Sequence, residues 1–498
     1  MIMNKLKYVL IALIVFGLIG CDDFLVHSPQ QSLEIDEVVE DAQGIGNLVA
    51  GMYDGVQNPD ISGGNYNMLP EIMADNVVWS GSFTTYLDVF AREMTADNLN
   101  TVNWWTVSYR TINIANLILQ ALDIVDDPAL TDQQKDTWRG DAYFVRGMLY
   151  FEMARMFGKP WGFTGDNSHP AVPIRLTPVS SSVDFEDMPR ASMAAVFQQA
   201  ENDFQQAANL LPNVGLRGDR RATRFTALGY LMRLEMVKGD YAAAADYAGQ
   251  IINSGNFALT EHPIGPFENE FSSESIFEVI HTPADNPGVN AGQNAFYATS
   301  AMGGRGDIEI SADYVTAVGG IITPEQQAAI DAEADTVYDR RITDMLTELA
   351  AGTGATRKFP DGVTNADNVM NMRYADILLS RAEALVEIAA DLASVPQEAY
   401  DLVNMVRKRA IVVVDGDGLD RDDLIEYGTN DFDTKQELID AILLERRIEL
   451  AFEGDRFHTL HRKGLDIRGL APDANRITFP IPQPEMDANP EMEQNPGY

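Results

Sequence analysis

Three glutamates spaced one helical turn apart, Glu445, Glu449 and Glu453, lie in the stretch ELIDAILLERRIELAFEGDRFHTLHRKG (residues 437–464) and invite a catalytic reading. Glycoside-cleaving enzymes hold two carboxylates a fixed distance apart across an open cleft. Here, at 100° per residue, the glutamates form a column on the face that also carries Leu438, Ile442 and Phe452. Leu443, Leu444, Ile448 and Leu450 make the remaining surface apolar, so the helix is expected to be buried on most sides. Like charges at i, i+4 repel one another, and a buried helix that carries them needs cations from neighbouring elements. Arg446 flanks the column, and Arg456 projects onto it if the helix runs through Gly454. The column reads as a structural hub, and no enzyme activity is expected from it.

Other constellations are weaker. Asp415, Asp417, Asp420, Asp422 and Asp423 supply hard oxygen donors of the type a structural calcium ion takes, but Leu419 and Asp420 break the EF-hand order. A solvated acidic loop is the better reading, and no other cofactor is expected. His458 and His461 stand at i, i+3 without a third ligand or the glutamate of a zinc helix, so packing explains them. The chain has no phosphate-binding glycine loop, no GxSxG elbow and no Cys/His dyad.

Aromatic rings set among small polar residues carry a different chemistry. Residues 58–101 are rich in Gly, Asn, Ser and Thr and hold Tyr66, Trp79, Phe83, Tyr86 and Phe90; a second such stretch, 285–311, rich in Gly and Asn, holds Phe296, Tyr297 and Arg305. Ring faces stack on the C–H patches of pyranoses, while planar polar side chains bond the hydroxyls. Trp79, Tyr86, Trp104 and Tyr297 are the candidate platforms, with Asn103 and Arg305 as hydroxyl partners. The competing reading is that these rings pin long loops to the scaffold.

The elements that would position these residues are mostly helical. Apolar periodicity predicts helices over Val38–Val56, Asn103–Val125, Gln134–Phe157, Ser192–Leu211, Thr223–Lys238, Asn371–Ala389, Gln397–Ala410 and Thr323–Leu349. The Gly239-Asp240 turn, followed by the alanine-rich Tyr241–Ala248, resembles a tetratricopeptide hairpin, and Asn371–Ala410 repeats that plan loosely. Glu274–Thr282 reads as a short strand, and the polarity of 58–101 predicts loops. The expected fold is mainly α: one compact helical domain, residues 36–498, with few short strands and long variable loops at about 58–101 and 257–367.

The chain start is targeting sequence. Lys5 and Lys7 precede an apolar run, Tyr8–Leu18, that is short for a membrane span. It closes in Leu18-Ile19-Gly20-Cys21, similar to a bacterial lipobox, so residues 1–20 are expected to be removed and Cys21 to carry lipid. Cys21 is the single cysteine, which excludes an intramolecular disulfide. Residues 21–35 read as a tether. The formal charge is −39 and becomes −41 once Lys5 and Lys7 are removed, a field that repels nucleic acid.

Several of these stretches together resemble the SusD/RagB nutrient-uptake lipoproteins. The similarity rests on GIGNLVAGMYDGV (44–56), Pro189–Ser192, ERRIELAFEGDRFHTLHRKG (445–464), the closing NPEMEQNPGY and CDDFLVHSPQ at the mature start. His458 departs from the family pattern, which usually has Trp there. The resemblance implies a non-enzymatic lipoprotein on the outer face of the outer membrane. It would capture oligosaccharide and deliver it to a SusC-like TonB-dependent transporter. A peptide-capturing lid of the same type, or an envelope scaffold with no small ligand, are the alternatives.

Overall fold

In the computed structural model, helices begin where the chain offers a short oxygen-bearing side chain. The residues described are 39, 41–179, 186–268, 270–320, 322–332, 336–350, 353–414 and 425–498. The signal segment, Cys21, the tether and the acidic run at 415–423 lie outside them. Asp41 accepts from Gly44 N–H ahead of α1 (Ala42–Gln57), Thr131 from Gln134 ahead of α5 (Asp132–Phe157) and Ser192 from Ala195 ahead of α6 (Met193–Leu210). Each cap satisfies an N–H that the helix itself leaves free.

The α5 helix runs through the core, buried almost continuously from Gly140 to Phe157. It packs against α4 (Leu99–Ile124), α6 and α7 (Arg224–Lys238). The approach to α6 is close because Gly147 has no side chain there: a Cβ would lie 3.0 Å from Phe204 and Asp203 side-chain carbons. The expected hairpin forms at Gly239, whose φ of 76° ends α7, and Asp240, which caps α8 (Tyr241–Asn253). Its small residues Ala244, Ala245 and Ala248 are buried, and α8 packs on α13 (Tyr374–Ile388). A second helix pair, α13 and α14 (Gln397–Ala410), packs alongside.

Among the described residues, strands are short and pair in four antiparallel two-stranded sheets. β1 (Val77–Trp79) pairs with β3 (Ile308–Ile310), and β2 (Ser275–Val279) with β7 (Val369–Arg373). β4 (Thr336–Asp339) pairs with β8 (Ile411–Val414), and β5 (Leu346–Ala350) with β6 (Thr353–Thr356). The fold is mainly α, as the periodicity predicts.

Three expectations are corrected. Residues 58–101 are not loops throughout: α2 (Asn65–Met73), β1 and α3 (Thr84–Ala91) alternate with turns, and every residue of α2 is buried. The predicted helix over 323–349 is broken into α11 (Pro324–Asp331), β4, α12 (Arg340–Asp344) and β5, which lie between α9 (Gln293–Tyr297), α10 (Ala312–Ala317) and the chain that follows. The glutamate helix ends early. α15 (Lys435–Glu449) gives way to a turn with left-handed Phe452 (φ 70°) and Gly454 (φ 81°), and α16 (Asp455–Arg462) leaves in a new direction.

Candidate functional site

The glutamate column is met by cations from four other segments. Arg341 of α12 donates to Glu445 at 2.6 Å and to Glu449 at 3.3 Å. Arg373, at the end of β7, reaches Glu449 at 2.7 Å and Glu453 at 2.8 Å. Arg409 of α14 pairs with both Glu449 and Glu274. Lys358 donates to Glu453 at 2.7 Å and to the carbonyls of Glu449 and Ala451 at 3.0 and 2.8 Å, closing the end of α15. Burial alone would raise the Glu449 carboxyl, but Arg409, Arg373, Arg341 and Lys358 hold it well below the ordinary range. Arg456 does not join the column; the turn at Gly454 sends it to Asp75, 2.8 Å away. Glu445 and Glu449 are buried and Glu453 is nearly so, and all three carboxylates are engaged in ion pairs.

Above this hub lies the turn's own support. Glu71 of α2 accepts from Phe452 N–H and Gly454 N–H, both at 3.1 Å, and from Asn76 at 2.7 Å. Burial pushes its carboxyl up to about 7, against the lowering effect of those bonds. In α16, His461 is buried and His458 is half-buried with both ring nitrogens covered. Neither ring nitrogen of His458, nor Nε2 of His461, has a partner among the described residues. Burial lowers both imidazoles, His461 to about 4. His458 borders a polar cavity of about 60 Å³, shared with Tyr66, Arg155 and Arg233, which is roomy enough for water. Among the described residues, no group of three or more His, Cys, Asp or Glu is placed to hold a metal.

The aromatic candidates divide into two places. Trp79 stacks on Tyr86 at 4.9 Å, and Phe296 meets both edge-on at 5.5 and 5.1 Å. Arg305 lies across the half-buried Phe83 ring at 4.5 Å, paired to Asp307 at 2.6 Å and bonded to Asn290 at 3.2 Å. β1 and β3 bring this cluster together: Trp79 pairs with Ile308, two residues after Gly306. Trp104 and Tyr297 are elsewhere, in the core. Trp104, fully buried, stacks on Tyr66 at 4.6 Å, and Tyr297, 1% exposed, leans on Phe359 at 5.2 Å. Trp79 and Tyr86 are also nearly covered, at 4% and 6% exposure, so none of the four rings offers an open face in this conformation. Asn103 is half-buried and bonds Asp60. Phe83 and Phe296, which stand in the same polar stretches, complete the cluster that Trp79, Tyr86 and Arg305 begin. The exposed Val289 and Val363 (74%) lie beside it, next to Asn290 and packed over Gly303 respectively.

Comparison with known proteins bears on this arrangement. Residues 23–236 match a family model described as starch-binding and associating with the outer membrane, and residues 322–469 match the SusD family model. SusD-like proteins P2 and P38 of Formosa agariphila are 26% and 24% identical, each aligned over 100% of both chains. A putative sugar binding protein from Bacteroides vulgatus is 23% identical with a TM-score of 0.74, covering 93% of this chain and 99% of that one. A SusD superfamily protein from Bacteroides fragilis is 22% identical with a TM-score of 0.75, covering 92% and 100%. At these identities the solved structures speak for the fold.

Proposed function

The chain belongs to the SusD/RagB family, and on that premise we propose that it is a non-enzymatic lipoprotein, held at the outer membrane through Cys21, that captures oligosaccharides and delivers them to a SusC-like TonB-dependent transporter. The observation that carries this reading is the cluster at the β1–β3 pair, where Arg305 lies across Phe83 beside Trp79, Tyr86 and Phe296. Its half-buried ring and its guanidinium have the chemistry of hydroxyl-rich ligands. Saturation of the glutamate column by arginine and lysine supports a binding protein over a glycosidase. No described helix is long and apolar enough to cross a membrane.

Two measurements test the reading. Calorimetric titration of the Asp22–Tyr498 form against oligosaccharides should show saturable binding that weakens in Phe83→Ala and Arg305→Ala. Binding of oligopeptides alone would make the protein a peptide-capturing lid instead. Purification from membranes should recover a TonB-dependent barrel; recovery of other envelope proteins without one would favour a scaffold.

A further inference from the structure

Beside the loop that carries Arg305 opens a groove of about 540 Å³. His262 comes from the segment before β2, Met302 from the 3-10 turn Ser300–Met302, Tyr338 from β4 and Arg340 from α12; Arg357 and Pro360 follow β6. The groove and the aromatic cluster flank the same pair of loops. Those loops touch backbone to backbone at glycines: a Cβ on Gly362 would lie 2.3 Å from the Gly304 nitrogen. Arg305 leaves this pair toward Phe83, while Met302 and Pro360 line the groove.

The lining holds two charged groups, Arg357 and Glu268, that have no ion-pair partner among the described residues. In a chain with 36 lysines and arginines against 75 acids, most cations that the structure describes are engaged by carboxylates. Among the described residues, the exposed Arg357 has no carboxylate partner and the exposed Glu268 across the groove has no cation. Arg340 is bonded to His262 Nδ1 at 2.5 Å and lies 3.8 Å from Asp344, a carboxylate it only loosely engages. Tyr338 is half-buried at the β4–β8 pair, opposite Val412, and no described ring packs on it. The groove thus offers the Tyr338 ring, the His262 imidazole that Arg340 engages, two guanidiniums and two carboxylates.

We propose that this groove is a saccharide subsite for uncharged sugar residues, with Tyr338 as the stacking face and Arg340, Arg357, Glu268 and Asp344 bonding hydroxyls. The inference rests on the oligosaccharide-capture reading and narrows its ligand class. Two guanidiniums and two carboxylates balance locally, so the groove has no net charge to attract an acidic sugar. A uronate or sulfate ester would also meet the field of a chain at −39. Vicinal hydroxyls both donate and accept, and a mixed set of guanidinium and carboxylate groups answers both.

The test titrates the full-length chain in detergent with two ligand sets. The neutral set is maltoheptaose, laminarihexaose, xylohexaose and mannohexaose; the charged set is hexagalacturonate and a sulfated κ-carrageenan hexasaccharide. The tightest ligand should be neutral, and Tyr338→Ala should weaken it by about tenfold, the loss of roughly one ring contact. Arg357→Gln, at an exposed position, should weaken it about threefold or more, and Tyr338→Phe should stay near wild type. A charged oligosaccharide as tightest ligand, or Tyr338→Ala binding as wild type does, overturns the groove assignment and leaves the capture reading standing. Absence of binding to every member of both sets overturns the capture reading and the groove with it.

Discussion

A ring can stack on a sugar only through a face that solvent reaches, and Trp104 has none: Tyr66 covers one side and Phe479 meets it edge-on. Residue type alone does not distinguish such a ring from Phe83, which is half-exposed under Arg305. Burial has a second consequence at the histidines. His461 keeps a pKa of about 4 in the fold, against an ordinary value near 6.5, because burial disfavours its charged form and Arg155 and Lys159 add to that. A base with a depressed folded pKa contributes stability that is complete above about 6.5 and is lost as the pH falls through 6.5 toward 4. The window is worth about 3 kcal/mol at 1.36 kcal/mol per unit. His458 is depressed in the same direction and adds to the effect. The melting temperature should therefore fall between pH 7 and pH 4.5, and fall less in His461→Gln. Parallel curves for the two proteins would remove His461 as a source of the acid sensitivity.

At the scale of elements, the turn between α15 and α16 decides where the hub's charges go. Gly454 sits at φ 81°, and a Cβ there would come within 2.8 Å of the Asn67 Cα and 2.9 Å of the Tyr66 carbonyl oxygen. Both are backbone atoms of α2, so neither can swing aside. Gly454→Ala should cost about 2 kcal/mol or more, combining left-handed strain with overpacking. Chemical denaturation should show it as a lower midpoint; a midpoint equal to that of the wild type would mean that α2 shifts freely. The glutamate column and its need for cations were legible in the sequence, because i, i+4 spacing is local. So was the α7–α8 hairpin, because Gly239 and Asp240 carry their own conformational instructions. The end of α15 was not, since apolar spacing continues through Phe452 while the backbone turns left-handed there. Nor were the helices inside 58–101. Their asparagines and glutamate signal a loop, but Asn67 bonds the Met370 carbonyl and Glu71 bonds the 452–454 backbone, partners some 300 to 380 residues away. The Tyr338 groove was hidden for the same reason: its lining comes from four separated segments.

Over the whole molecule, the charges are sorted by depth. Arg146, Arg217, Arg341, Arg373, Arg409, Arg446 and Arg462 all pair with carboxylates in or near the core. Lysines and arginines number 36 against 75 acids; the buried pairs consume cations and carboxylates together, so the exterior carries the net −39 with few cations left among its acids. Buried pairs are screened little by salt, whereas exposed like charges are screened over a Debye length of about 10 Å at 0.1 M. The two populations therefore respond differently. Added salt leaves the hub intact and relieves repulsion among surface carboxylates, which otherwise opposes the compact state. Raising NaCl from about 10 mM, where the Debye length is about 30 Å, to about 0.5 M should increase the melting temperature. The opposite result, a fall with salt, would mean that exposed ion pairs such as Arg139–Asp123 outweigh the repulsion. Magnesium at equal ionic strength should act as NaCl does if screening is the cause; a larger rise would point to cations bound at particular carboxylates.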